Sequence, residues 1–535
     1  MSLQASASKG SEVVELESNS SESLEGYHRN SKGEAFVKSG LKAGIRNRQI
    51  NLIALCGIIG PGCLIGMGGS LAQSGPVALV VGFTIIGVLV LSMMASVGEM
   101  NAVLDANFGV LGSRFISKGF GATLSLFYVI VWVTVLIAEY TNLTGSMQAY
   151  TDKVPQYGWV LIFWAFFSIL SSLSVNWYGE LEYVLGIIKL AFLTGYYIFA
   201  IVYAAGGIKG HKPDNPFGNY PLKDGFKGIA NSFVYAATFY SGVESISIIA
   251  AEARNPRKAI PTAVKNTVIR IFFVYYGLAI AYGITVPYND PLLTSNSKVL
   301  KSPMSIALIQ AGWSNAPYFI ASMILMTCLS SINSAIYISS RALFTWSQQG
   351  YGPKIFAKVN KKGVPYVAVH VVHLFCFLSI MSWKAGSAVA YSYIVNVSGV
   401  AAFIVWTAIV IIHVRFRNGW LKQGYKLDDL PFKSPLFPWS NIVSITIGVV
   451  LILVQGWTVF KPFEVGPFID AYILLPLFFV FWAGYDYFFK GHILKYEEMD
   501  FETGRRPDLD DDVNVGSRDI NVQVDDEEGI AKKTE

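Results

Sequence analysis

Between residues 50 and 490 the chain keeps returning to apolar runs of about 20 residues, parted by short stretches of charged residues, Gly, Pro and Asn. A helix of that length rises about 30 Å, the thickness of a bilayer's hydrocarbon core, so each run reads as a membrane-crossing helix. The runs fall near 50–72, 76–97, 120–148, 157–176, 181–205, 227–250, 266–287, 316–345, 366–384, 388–413, 438–459 and 468–489. About twelve spans follow, and with them an all-α integral membrane protein.

Two of these spans carry breaks. The first contains "GIIGPGCLIG", where Gly57, Gly60, Pro61, Gly62 and Gly66 sit in otherwise apolar sequence; each Gly costs about 1 kcal/mol and Pro about 3 relative to Ala in a helix interior. The sixth contains "AATFYSGVESISI", with the break at Tyr240-Ser241-Gly242. One break opens the first five spans and the other opens the next five, and interrupted segments in corresponding positions of two halves point to an inverted-repeat transporter with discontinuous helices 1 and 6 and its site at the breaks. Backbone opened at membrane depth must face protein or a wet cavity, and the start of a half-helix offers N–H donors and positive dipole character to an anion. Gly60 and Gly62 are expected to supply the conformational freedom for that approach. The competing explanation for either break alone is close packing of helices on small residues.

Composition agrees with the pattern. The 535 residues are 53% hydrophobic and 14% charged, too apolar for a soluble multidomain protein. The net charge of +5 marks membrane sidedness and carries no nucleic-acid patch. Basic clusters precede the first span (Lys38, Lys42, Arg46, Arg48) and follow the sixth (Arg254, Arg257, Lys258, Lys265), the eighth (Lys354, Lys358, Lys361, Lys362) and the tenth (Arg415, Arg417, Lys422, Lys426). All fall on one side, which the positive-inside rule makes cytoplasmic, together with both termini. Lys209, Lys212 and Lys223 are exceptions on the outer side, and Glu180 and Glu182 lie in a basic-poor connection and are expected at the interface.

The expected organisation is therefore a disordered cytoplasmic tail over 1–45, a permease-like membrane domain over 46–490, and an acidic cytoplasmic tail over 491–535. Within the membrane domain, repeat one covers about 50–205 and repeat two about 227–413, with two extra helices over about 438–489. The last tail reads either as a solvated segment or as a docking site, such as for a ubiquitin-ligase adaptor, with Lys532 and Lys533 open to modification. Residues 1–35 lack a signal-peptide apolar run. Cys56, Cys63, Cys328 and Cys376 all lie in apolar runs and imply no disulfide or metal framework. His370 and His373 share a helical face, for which ordinary packing is the simpler account than a two-ligand metal site. No cofactor is expected.

Four stretches carry a family resemblance: "IRNRQINLIALCGIIGPGCLIGMGGSLAQSGP", "SGVESISIIAAEARNPRKAIPTAVKNTVIRI", "SSINSAIYISSRALFTWSQQGYGPKIFAKVNKKGVP" and "VSGVAAFIVWTAIVIIHVRFR". They resemble the fungal amino-acid permeases of the amino acid/polyamine/organocation superfamily, most closely the general low-affinity members, over about residues 40–490. The resemblance implies a LeuT-type fold, a five-plus-five inverted repeat with two extra helices, and proton-coupled import of amino acids at the plasma membrane, with broad specificity. It also implies that the substrate carboxylate meets backbone at Gly60, Gly62 and Cys63, and the ammonium group meets carbonyls of Phe239, Tyr240 and Gly242. Two departures stand out. Pro61 replaces the usual Thr or Ser and has neither hydroxyl nor N–H, and "NAVLDANFGVLGSRF" lacks the Pro-Ser-Gly-Gly pattern of that loop.

Ionisable residues inside spans are costly and are functional candidates by default. Glu139 in the third span, Lys189 in the fifth and Glu244 after the second break qualify as proton-coupling residues. The family likeness places Lys189 where related sodium-driven transporters hold their cation, bridging toward the first span; a static buried ion pair is the alternative for Glu139 and Lys189. Asn333 and Ser398 are the candidates for side-chain selectivity, with Phe239 or Tyr240 as an aromatic gate, and Arg341 is assigned to the cytoplasmic end of its helix. No covalent chemistry is implied, so the chain is not an enzyme. An amino-acid sensor on the same fold and a carrier of another organic cation, such as a polyamine, are the competing functions.

Overall fold

A computed structural model describes residues 59–172, 175–245, 248, 256–295, 297, 299–383, 385–460 and 462–505, together with Gln49, Leu52 and two short strands. The chain divides into two compact units, 1–40 and 41–535. In the first, Tyr27–Arg29 pairs antiparallel with Ala35–Val37, where the sequence reading expects no order. Cys56, Gly57, the basic cluster at 38–48, Arg254 and the tail from 506 onward lie outside the described residues.

The second unit is helical. Among the described residues, seven helices are long and apolar enough to cross a membrane, and a pair bent by 47° makes an eighth. The seven are the second span (Pro76–Val103), third (Lys118–Met147), fifth (Tyr178–Ala204), seventh (Thr262–Thr285), eighth (Ala316–Gln348), ninth (Tyr366–Trp383) and tenth (Val397–Lys422). The bent pair, Val465–Tyr472 with Leu474–Phe488, is the twelfth. Its bend precedes Pro476, whose ring cannot fit against the carbonyl one turn earlier and leaves that turn open. Gln156–Ser171 and Trp439–Val454 are shorter apolar helices at the fourth and eleventh positions. The described helical parts beside the two breaks, Gly62–Gly66 with Met67–Ser74 and Phe226–Tyr240, lie in the first and sixth positions.

Burial sorts the spans. The apolar windows of the third and tenth spans are 83% buried and that of the fifth is 28% buried, so the former make the core and the latter faces lipid with Ile187, Ile188, Ile198 and Ile201 exposed. Between the second and third spans, "ANFGVLGSRF" folds into a short helix, Phe108–Phe115, capped by the Asn107 side chain on the Val110 N–H. Its Phe108 ring meets Tyr128 of the third span edge-on at 4.7 Å.

At this same end, the chain after the twelfth span folds back. The Leu494 N–H donates to the Ile116 carbonyl, Gln423 donates to the carbonyls of Tyr496 and Met499, and Phe501 is buried against Phe115 and Phe416. The Arg114 guanidinium donates to the Thr503 carbonyl at 2.6 Å. The segment packed on this end therefore continues past the boundary at 490 read from the sequence, because Leu494, Met499 and Phe501 supply apolar anchors between the charges.

A buried ion pair joins the second and tenth spans here. Glu99 accepts from Arg417 at 2.9 and 3.0 Å and lies 3.2 Å from His413, with neither Glu99 nor His413 exposed. On the opposite end, one exception to the charge rule has a local cause: Lys223 donates to the Ala72 carbonyl at 2.9 Å, a cation set at the C-terminal end of the first-span helix. Glu182 is a correction. It is fully buried inside the helix Val175–Ala204, because that helix starts a turn and a half before the apolar run does, and it is not interfacial.

Candidate functional site

The helix of the first span restarts at Gly62. Pro61 occupies the cap position with φ −64° and ψ −13°, geometry its ring already imposes. Its carbonyl accepts from the N–H groups of Leu64 and Ile65 at 3.0 and 2.8 Å. A π-turn over Gly62–Gly66 leads into Met67–Ser74. Among the three backbone groups assigned to the carboxylate, the Cys63 N–H closes on the Gly60 carbonyl at 3.3 Å, whereas Gly62 is the first residue of its turn, where no carbonyl of that turn serves its N–H.

In the sixth span, Phe226–Tyr240 ends at Ser241, Gly242 takes φ 99° and a single 3₁₀ turn, Val243–Ser245, follows. Among the described glycines of the two breaks, only Gly242 sits in the left-handed region that disfavours any Cβ. Gly60 and Gly62 are absent from it, so their need for glycine is spatial, which corrects the conformational expectation. A Cβ at Gly60 would lie 2.8 Å from Glu139 Oε1 and 2.9 Å from Ser331 Oγ; a Cβ at Gly62 would lie 3.1 Å from two carbons of the Phe239 ring, and one at Gly66 2.9 Å.

The two breaks face one cavity of about 690 Å³, walled by the first, third, sixth, eighth and tenth spans, with Lys301 and residues of the eleventh and twelfth spans, Asp470 among them, completing it. Glu139 and Asn142, three residues apart on one helical face, line it from the third span, and Ser331 and Ser334 line it from the eighth. Ser241 and Ser398 also line it, and their buried hydroxyls lack a hydrogen-bond partner among the described residues, as does Glu139 Oε2. Gln73, Asn231 and Gln455 also line the cavity. Such a space, apolar with a few aimed polar groups, is what a small zwitterion would occupy.

The other assigned residues separate. Phe239 lines the cavity with its ring over Gly62 and Gly66, and its carbonyl accepts from the Tyr275 hydroxyl at 2.7 Å. Tyr240 is fully buried away from the cavity, donating to the Phe83 carbonyl at 3.1 Å, so of the two candidate gates Phe239 is the one in position. The Gly242 carbonyl accepts from the Ser245 N–H at 3.0 Å. Glu244 accepts from the Gly242 N–H at 3.1 Å and from the Trp406 indole at 3.0 Å, bracing the second break from behind.

Asn333 faces the fifth span, donating to Glu182 at 3.0 Å. On the eighth span, residues 331 and 334 share the cavity face and residues 330 and 333 the other, as a helical repeat requires. Lys189 donates to Ser330 at 2.7 Å. Arg341 is buried over the Tyr337 ring at 3.9 Å. His373 bonds Tyr140 at 2.6 Å while His370 is exposed, so the two do not converge. Ser331 and Asn142 were missed by sequence reasoning; Asn142 had a signal in its spacing from Glu139.

The amino acid permease family model matches residues 49–498. The chain is 56% identical over 468 residues to an uncharacterized amino-acid permease of Schizosaccharomyces pombe, covering 88% of this chain and 87% of that protein. It is 43% identical over 485 residues to the general amino acid permease AGP3 of Saccharomyces cerevisiae, covering 89% and 87%, and 34% identical over 488 residues to that organism's basic amino-acid permease, covering 87% and 84%. A crystal structure of an Eremococcus coleocola manganese transporter aligns with a TM-score of 0.51 at 12% identity, covering 82% of this chain and 94% of that one. That likeness speaks for the fold alone, the LeuT-type five-plus-five repeat with discontinuous first and sixth spans.

Proposed function

The chain belongs to the amino acid permease family, and from that premise we propose that it imports a broad range of amino acids across the plasma membrane by secondary active, proton-coupled transport. Amino-acid permeation through a multi-pass membrane protein is the family's activity; the coupling ion, the breadth and the sidedness are the proposal. One observation carries it: the paired breaks open onto a single cavity in which a buried carboxyl, Glu139, lies against Gly60 of the first break.

In this reading the substrate carboxylate approaches the turn beginning at Gly62, where backbone donors and the helix dipole favour an anion. The ammonium group meets the carbonyl end of Phe226–Tyr240, and Ser398, Ser241 and Ser331 contact the remainder of the molecule. Glu139 takes the cotransported proton, adjacent to the substrate and in electrostatic reach of Lys189. The Phe239 ring, resting on Gly62 and Gly66, closes the path. Both termini are placed in the cytoplasm, with the docked segment up to Arg505 on that face and residues beyond it available to a ubiquitin-ligase adaptor. Residues 46–490 act as one permease domain of two repeats and two extra helices.

The test is competition and coupling measured together. Uptake of radiolabelled amino acids should fall when a protonophore is added, and decarboxylated amines should compete poorly with their parent amino acids. Equal competition by the amines would remove the first break as the carboxylate site, and uptake indifferent to the protonophore would remove proton coupling. Bound substrate without net uptake would favour a sensor.

A further inference from the structure

Behind the cavity, on the far face of the eighth span, lies a second buried acid with no role in the transport cycle described above. Glu182 and Lys189 are seven residues apart on Val175–Ala204, two turns and about 10 Å along one face. The Ser330 hydroxyl joins them: it accepts from Lys189 Nζ at 2.7 Å and donates to Glu182 Oε2 at 2.6 Å. Asn333 donates to the other oxygen, Oε1, at 3.0 Å. Glu182 and Ser330 are fully buried and Lys189 nearly so, and none of the three lines the cavity.

Ser331, the next residue, points the other way, flanking Gly60 beside Glu139. Lys189 therefore lies in electrostatic reach of two carboxyls, Glu139 on the cavity side and Glu182 behind. A buried ammonium must keep an anionic partner, since an uncompensated charge is strongly destabilising. If Glu139 takes the cotransported proton it ceases to be that partner. We propose that Glu182, acting through Ser330, is the permanent counter-ion of Lys189, and that this frees Glu139 to alternate between charged and neutral during transport. This rests on the proton-coupled reading above. Glu182 is a positioning residue, because it touches neither substrate nor the proton-accepting carboxyl.

The other charged and titratable groups near this network, among the described residues, include Cys63 of the first span, which Lys189 and Glu139 both reach electrostatically, and Cys328 of the eighth span, beside Glu139. Tyr178 stacks on Tyr337 of the eighth span at 4.0 Å, with the Arg341 guanidinium over that ring. Glu180 is half-buried on the same helix. The seventh span contributes Tyr282, which meets the fifth at Tyr196, at the far end of the helix.

The sign of the effect follows from charge. Without Glu182, the Lys189 ammonium loses one of the two carboxyls in its reach and acts more strongly on Glu139, holding that group as a carboxylate, so more protons are needed outside to drive the cycle. Glu182→Gln keeps the shape and the bonding capacity toward Ser330 and Asn333. Initial uptake per surface molecule, measured against external pH, should become half-maximal at a pH lower by about one unit or more, the scale set by one charge a few ångströms away. Exchange of preloaded substrate should persist. Ser330→Ala, which removes only the bridge, should move the profile in the same direction by less.

A wild-type profile in both variants, with wild type itself pH-dependent, overturns the assignment of Glu182 and leaves the coupling reading standing. A flat wild-type profile that ignores a protonophore removes the coupling reading and this proposal together. Should Glu182→Gln fail to reach the surface, Ser330→Ala alone decides: an acid shift supports the counter-ion role and an unchanged profile refutes it.

Discussion

Gly62→Ala is a small change at a place with no room for it. The added Cβ would stand 3.1 Å from both Cδ1 and Cε1 of Phe239, whereas carbon atoms rest about 3.5–4.0 Å apart, so the ring must retreat by roughly 0.4–0.9 Å. It cannot do so freely. Phe83 stacks at 6.1 Å and Tyr235 packs at 6.3 Å between ring centroids, and the Tyr275 hydroxyl pins the Phe239 carbonyl at 2.7 Å. Overpacking of this kind costs about 1–3 kcal/mol, and at about 1.4 kcal/mol per decade the arrangement with the ring on Gly62 becomes roughly five- to a hundredfold rarer. Initial uptake of a radiolabelled amino acid, normalised to surface protein, should fall by that order. Gly62→Ala combined with Phe239→Leu should recover part of the loss, a coupling that a double-mutant cycle isolates. Normal uptake by Gly62→Ala, or additive losses in the pair, would refute the claim that Phe239 closes the site over Gly62.

Glu99→Gln strands the Arg417 guanidinium within a buried pair, which typically costs roughly 3–5 kcal/mol; the purified variant should unfold at a clearly lower temperature in detergent, and Arg417→Ala added to it should worsen this little. Deleting 506–535 should leave uptake per surface molecule unchanged, whereas deleting 493–535 strips Leu494, Met499 and Phe501 and should lower thermal stability. Burial disfavours the Asp500 carboxylate, yet hydrogen bonds from Thr503 and Glu502 and the Arg114 charge hold its carboxyl below the usual carboxylate range. A carboxyl so depressed stabilises docking above its unfolded pKa and loses that contribution as pH falls through the folded one, so limited proteolysis near residue 505 should stay slow in mild acid and accelerate only in stronger acid. Pro61→Thr adds a hydroxyl and an N–H at the first break, and a hydrogen bond to a charged group is worth roughly 1.5–3 kcal/mol; amino-acid affinity should rise about ten- to a hundredfold, with slower turnover, and an unchanged Kd would count against carboxylate binding there.

The spans and the two breaks were legible because bilayer thickness fixes run length and because Gly and Pro are expensive inside helices. Glu139, Ser398 and Phe239, which line the cavity, were singled out for related reasons: one is a charge in a span, and the others sit beside or opposite a break. Which face of the eighth span meets the cavity was not legible, since Ser330, Ser331, Asn333 and Ser334 are all polar and only packing separates the pairs. Glu182 was misplaced because "NWYGELEY" looks like a connection; its burial depends on Ser330 and Asn333, some 150 residues away. The docked segment after 490 was hidden by its charges, which outnumber the three apolar anchors that hold it.

The central claim is that a proton gradient drives an amino acid through the cavity between the two breaks, with Glu139 carrying the proton. The purified protein reconstituted in vesicles, given an imposed inward proton gradient and no other energy source, tests it in one measurement. Wild type should accumulate radiolabelled amino acid above equilibrium and collapse to equilibrium with a protonophore, while Glu139→Gln should exchange substrate without accumulating it. Accumulation by Glu139→Gln equal to that of wild type, or none by wild type under the gradient, would contradict the account.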